Sequence, residues 1–343
     1  MSSLPRKRTY WPLRDKVGAI GASYMGAARS VHMFNPTLIV IEAFIRELRT
    51  MYERTYTTME PGYPGAISFA AQLALENIAT SDAAYHDVNH TIMVTLVGQE
   101  ILRGRHISVG GVTPRDWLHF IISLLCHDIG YVRGICRGDG DGSYVTNLAG
   151  DKVTLPEGAT DASMAPYHVA RSKLFVRERA EKALVHLDIT AIETNIEHTR
   201  FPVPEDEQHE STNDFPGLVR AADLIGQLAD INYLRKQAAL FNEFRETGMS
   251  SKLKYNSVAD LRANLSRFLL EEGPTLYRRC LALSSSHARG PTVDRQSLRK
   301  RILGGAQRPT FLGESRQYWR AASVASTLEA EAEEPESAPE TWE

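Results

Sequence analysis

Cysteine is scarce in this chain. Three residues, Cys126, Cys136 and Cys280, occur among 343, and none is in CxxC spacing. That excludes a disulfide framework and a thiolate-rich metal knot. Cys126, inside an apolar run, reads as a core residue; Cys136, in a glycine-rich loop, is expected to be open to solvent. Long apolar runs are also missing, so no transmembrane helix is expected. The basic N-terminus, MSSLPRKRTYWPLRDK, is not followed directly by the apolar core of a signal peptide. Cytoplasmic residence and no membrane partner are the expectation. No internal repeat is visible. Short basic clusters, Arg6-Lys7-Arg8 and Arg299-Lys300-Arg301, lack the interleaved aromatic rings that stack on bases, which argues against nucleic acid as a partner.

What is present is an ordinary soluble composition, 43% apolar and 24% charged, in a chain long enough for one large domain or two. The formal charge of −3 is unevenly spread. Residues 329–343 hold seven glutamates and no Lys or Arg, so the remainder is mildly basic, which suits an anionic substrate.

The pattern divides the chain into an irregular N-terminal arm (1–34), a nearly all-helical body (35–283), a looser C-terminal extension (284–328) and an acidic, disordered tail (329–343). Asn35-Pro36 opens a helix with apolar residues at helical spacing from Leu38 to Tyr52. A second helix is expected from about Ile67 to Ile78. Ser81 or Asp82 is expected to cap a third, running through Tyr85-His86-Asp87-Val88-Asn89-His90 to Leu102. Thr113-Pro114-Arg115-Asp116 starts a helix apolar nearly all round, ending at His127-Asp128. A glycine-rich loop, 131–160, follows, with a short hairpin at 143–146 and 152–155, and reads as a flexible lid. Helical patterns resume near Pro166, from about 188 to His198, from Pro216 to Leu240 and over 258–283.

His90, His127, Asp128, His168, His198 and Asp223 fall near or within separate helical segments, and a bundle could bring such imidazoles and carboxylates to one metal centre. His86 and His90, four apart, would lie one turn apart on one helical face. Each has a plainer reading. His127 and His198 could serve as C-terminal helix partners, His168 could lie on a solvated basic face, and His86 could be a second-metal ligand or a structural donor. Arg171, one turn after His168, could reach a substrate phosphate or belong to that same face. Gln227, one turn after Asp223, could line a pocket or make a buried hydrogen bond.

The order H…HD…H…H…D resembles the HD metal-dependent phosphohydrolase superfamily. YHDVNH is similar to the YHNxxH segment of cyclic-nucleotide phosphodiesterases, and Arg220-Ala221-Ala222-Asp223-Leu224 to their late A-A-D-[IL] segment. The resemblance spans about residues 85–225. It implies an all-α, HD-domain/PDEase-like helical bundle in which His86 is the general acid and His90, His127, Asp128 and Asp223 bind a first ion. Asp128 would bridge to a second ion bound by His168 and His198. The family's Asn is Asp87 here, its HDxxHPG continuation is HDIGYVRG, and its purine-selecting glutamine motif is not recognisable.

The implied activity is hydrolysis of a phosphodiester, a cyclic or other small nucleotide, by attack of metal-activated water with His86 protonating the leaving oxygen. Two divalent ions are expected. Histidine suits Mn, Fe, Zn or Ni, and carboxylate also accepts Mg. Two readings compete: an HD-type di-iron oxygenase, for which a spare acid at His86 has no use, and a nucleotide-sensing module that keeps its metal without turnover.

Overall fold

Prolines, polar caps and apolar periodicity set most of the helix boundaries in the computed structural model, which describes residues 35–183, 187–211 and 213–262. Helix α1 (Pro36–Tyr56) buries Ile41, Phe44, Leu48, Tyr52 and Tyr56 along one stripe. Helix α2 (Tyr63–Ile78) carries proline in its first turn. Helix α4 (Pro114–Cys126) opens with a reciprocal capping box between Thr113 and Asp116, and every residue from Trp117 to Cys126 is buried. Helices α5 (His168–Ala183), α6 (Ile189–Glu197) and α7 (Phe215–Ala229) follow, the last two capped by Asp188 and Asp214. Helix α8 (Tyr233–Glu246) and the single turn α9 (Met249–Lys252) come next, and residues 258–262 are again helical. Strands β1 (Ser143–Val145) and β2 (Lys152–Thr154) pair antiparallel, with Tyr144 opposite Val153. The described residues are mostly helical, in agreement with the all-α expectation. No helix among them is long and apolar enough to cross a membrane.

Helix α3 (Val88–Ser108) and α7 form the most extensive helix pair, while α1 packs on α2, α2 on α4, and α6 on both α4 and α5. Two glycines let α3 and α7 approach. A Cβ on Gly226 would lie 2.7 Å from Val94 Cα, and one on Gly98 would lie 2.3 Å from Leu124 Cδ1 and 3.0 Å from Ala222 Cβ. Val94 is one turn beyond His90, and Gly226 is just under one turn beyond Asp223. The same close approach therefore draws these two side chains together.

The structure revises several expectations. Helix α3 begins at Val88, not near Ser81, because Asp87 accepts the His90 backbone N–H and takes the cap. His86 therefore precedes the helix and does not share a helical face with His90. Asp82 instead receives Arg133 and the Asp161 backbone N–H. The pattern expected as one helix from 216 to 240 divides at Asp230, whose side chain accepts from the Asn232 backbone N–H. That local turn ends α7, and α8 extends beyond the expected limit.

Side chains join the loop 131–160 to the helical body at several points. Arg171 is fully buried and gives all its donors away. It bonds to the carbonyls of Gly130, Val132 and Val145 and pairs with the Asp139 carboxylate, whose side chain is buried. Arg133 joins Asp161, Asp82 and the Ala159 carbonyl, and Glu246 of α8 accepts from Thr160 and Ser163. Cys136 is buried beneath this network, against the expectation of exposure. The arm 1–34, the helical pattern beyond residue 262, the extension 284–328 and the tail 329–343 lie outside the described residues.

Candidate metal centre

Three helices and one turn supply the centre. His90 comes from the first turn of α3, His127 and Asp128 from the end of α4, and Asp223 from the middle of α7. His90 Nε2 and His127 Nε2 each lie 3.1 Å from Asp128 Oδ2. Asp223 Oδ1 lies 3.6 Å from His90 Nε2 and 3.7 Å from His127 Nε2. His90, His127 and Asp128 are buried, and Asp223 is partly so.

These short separations are not hydrogen bonds. His90 Nε2, His127 Nε2 and Asp128 Oδ2 are all buried without a hydrogen-bond partner. A buried polar atom left unpaired costs about 1–3 kcal/mol, and three facing one another require a common partner. Metal–ligand bonds of about 2.0–2.2 Å at ordinary coordination angles set neighbouring donor atoms roughly 3–3.5 Å apart, close to the spacing here. The tautomers fit as well. His127 Nδ1 faces the Leu124 carbonyl at 2.7 Å, so a neutral ring would carry its proton there and turn the Nε2 lone pair to the centre. His90, His127 and Asp223 offer ligand atoms within 4.8 Å of one another, and they could hold a cation beside Asp128.

Charge points the same way. Burial would raise the Asp128 carboxyl, but the charges of His127 and His86 hold it well below the usual carboxylate range. Burial would lower His127, yet Asp128 and Asp223 push it up to about 9. The carboxylates thus favour positive charge at this point, which protons or a cation could supply.

His168, at the start of α5, directs Nε2 towards the other Asp128 oxygen, Oδ1, at 3.8 Å. Its Nδ1 faces the Ala165 carbonyl at 2.6 Å. Burial outweighs Asp128 and lowers its pKa, so it is a neutral imidazole with a free lone pair. His86 lies against His90, with ring centroids 5.5 Å apart. Its Nδ1 is 2.6 Å from Glu243 Oε2. Burial opposes the charged form, but Glu243 and Asp128 raise His86 to about 9, so it is an imidazolium at neutral pH. Glu243 answers in kind: burial would raise it, and the His86 charge holds it below the usual range.

Three candidates stand elsewhere or differently. His198 is not brought to the centre: its two ring nitrogens face the carbonyls of Thr194 and Gln208 at 3.1 and 3.0 Å, and its ring lies 4.9 Å from that of His209. It ends α6, where backbone carbonyls are left without helical partners, and the plainer helix-end reading describes it. Arg171 has no donor left for a phosphate, because every N–H is committed to the loop. Gln227 bridges Asp223 Oδ1, at 3.5 Å, and the Tyr85 hydroxyl, which donates to it at 3.3 Å. It orients a candidate ligand rather than facing open space.

Two residues escaped the sequence reading. Glu243 is 157 positions from His86, and no local pattern announces it. Tyr131 stacks on both His86 and His168. Its place three residues after Asp128, in a short 3-10 turn, was a usable signal, because such turns return every third side chain to one side.

Neither curated proteins nor solved structures gave a significant match. A family model described as Npun_R2479-like matches residues 34–284, well over half of the chain and including every residue of the candidate centre, and the chain belongs to that family.

Proposed function

We propose that the chain is a metal-dependent phosphohydrolase, a phosphodiesterase acting on a cyclic or other small nucleotide. The observation that carries this reading is the trio of buried, unpaired atoms His90 Nε2, His127 Nε2 and Asp128 Oδ2, with the His86–Glu243 pair beside them. His90, His127, Asp128 and Asp223 would hold one divalent ion, and His168 with Asp128 Oδ1 would hold a second. Mn, Fe, Zn or Ni suits the imidazoles, and Mg the carboxylates. Bound there, such ions supply Lewis acidity, lowering the pKa of water and drawing charge from phosphate oxygens.

The chain's own groups do the rest. His86 has Nδ1 committed to Glu243 and Nε2 free, so Nε2 gives its proton to the departing oxygen. Glu243 keeps its charge, holds the ring in place and favours reprotonation. Gln227 and Tyr85 keep Asp223 turned towards the two histidines. The His86–Glu243 pair favours hydrolysis over di-iron oxygen chemistry, which has no role for a held acid. The separation of His198 from the other ligands weakens the six-ligand oxygenase reading further.

The test is metal content per chain together with hydrolysis of bis(p-nitrophenyl) phosphate in Mn²⁺. Bound metal with turnover is expected, with His127→Ala and Asp128→Ala losing both and His86→Ala losing turnover alone. Iron without turnover would move the assignment to the oxygenase. A metal-loaded protein that binds nucleotide without turnover would make it a sensor, and a protein that takes up no metal would end the reading.

A further inference from the structure

The continuation Ile129-Gly130-Tyr131 after His127-Asp128 builds a three-ring stack. Tyr131 lies 4.2 Å from His86 at an interplanar angle of 14°, and 4.5 Å from His168 at 20°. Each imidazole has a hydrogen bond at Nδ1, His86 to Glu243 and His168 to Ala165. That bond holds one edge of the ring and leaves its faces to be supported by packing. Tyr131 covers a face of both histidines at once.

The turn that carries Tyr131 is itself held. Its backbone N–H bonds to the Asp128 carbonyl at 3.0 Å. The Gly130 N–H donates to Ser172 Oγ, and that hydroxyl donates to the His127 carbonyl. Gly130 must be small here, since a Cβ would lie 2.0 Å from the His168 carbonyl oxygen. Glycine thus brings the start of α5 against the turn, and the tyrosine beside it meets the His168 ring.

We propose that Tyr131 is a positioning residue whose ring, stacked between His86 and His168, fixes the planes of the proton donor and of the second-ion ligand together. The assignment rests on the phosphohydrolase reading for its consequence, while the stack itself can be read without it. A loss of alignment of about 1 Å can cost on the order of a hundredfold in rate, so an aliphatic side chain here should depress kcat far more than KM.

The experiment compares full-length wild type, Tyr131→Phe and Tyr131→Leu carrying ¹³C-labelled histidine. Ring-current-shifted resonances of His86 and His168, assigned with single histidine substitutions, should appear in wild type and Tyr131→Phe and vanish in Tyr131→Leu. This arm needs neither metal nor turnover, and unshifted wild-type resonances would overturn the stack. The second arm is Mn²⁺ titration and bis(p-nitrophenyl) phosphate kinetics. Tyr131→Leu should keep the tighter ion, bind the weaker one at least about tenfold less well and lose kcat, while Tyr131→Phe restores both. Equal defects in Phe and Leu would assign the work to the hydroxyl, and no defect in Leu would leave the ring without a role; either result overturns the proposal. Shifted resonances in a wild type without metal or turnover would instead overturn the phosphohydrolase reading, and with it the catalytic role of Tyr131.

Discussion

Glu243→Gln tests the proton-donor arrangement most directly. Glu243 Oε2 lies 2.6 Å from His86 Nδ1, and Oε1 accepts the Tyr85 backbone N–H at 2.6 Å. Glutamine keeps the size and a carbonyl acceptor while removing the charge. Burial opposes a charged His86, and Glu243 is the main group that overcomes it, lifting the imidazole from 6.5 to about 9. That rise corresponds to roughly 3 kcal/mol in favour of the imidazolium. Because the folded-state value is raised, the associated stability is full below about 6.5 and is lost as pH climbs through about 9. A proton donor follows the same direction, so the basic limb of kcat belongs near the upper value. Without the carboxylate the limb moves down towards the ordinary imidazole value. At pH 8 a full return to 6.5 would cut the protonated fraction from about nine-tenths to a few per cent, so the loss in kcat is up to roughly thirtyfold and shrinks as pH is lowered. The pH–rate profile of bis(p-nitrophenyl) phosphate hydrolysis by Mn²⁺-loaded wild type and Glu243→Gln measures this. A basic limb that stays where it was, or a loss equal at every pH, would refute the reasoning.

Other substitutions separate the centre from its surroundings. His198→Gln should leave metal stoichiometry and kcat within about threefold of wild type, because the ring faces two carbonyls and not the centre; loss of an ion on metal analysis would return it to the ligand set. Arg171→Met strands the buried Asp139 carboxylate and should cost about 3–5 kcal/mol in urea unfolding, with KM of the folded fraction unchanged. Gly226→Ala gains about 1 kcal/mol of helix propensity but drives a methyl into the Val94 backbone. Overpacking of about 1–3 kcal/mol should win, lowering the thermal midpoint and weakening metal uptake as α3 and α7 part.

Much of the fold was legible because its signals are local. Pro36 and the Thr113–Asp116 box mark helix starts by backbone chemistry that needs no distant partner, whereas Pro64, in a Pro-Gly run that reads as a break, lies inside the first turn of α2. The burial of α4 follows from an apolar run wide enough to cover every face. The choice between Asp82 and Asp87 as the cap of α3 was not local. Both residues can cap, and Asp82 is claimed by Arg133 and Asp161 from the later loop. The break at Asp230 has a local turn, but apolar periodicity passes over it on both sides.

The candidate centre divides in the same way. Residue type nominated imidazoles and carboxylates, and the resemblance of their order to a known metal-binding family singled out His90, His127, Asp128 and Asp223. Order cannot say which nominees meet. His168 and His198 have equal claims in one dimension; the packing of α5 turns the first towards Asp128, and the end of α6 turns the second towards its own and neighbouring carbonyls. Arg171 looked like a phosphate ligand on a basic helix and is buried instead as the anchor of a loop whose carbonyls had no other donors. The pairing of His86 with Glu243 and its stacking on Tyr131 exist only once α8 and the turn after Asp128 have docked. By itself the sequence determined which ligand types were available and where α1 and α4 begin, because both depend on near neighbours. Only the tertiary structure decided which groups share a charge, a proton or a ring face, because those depend on contacts between residues far apart along the chain.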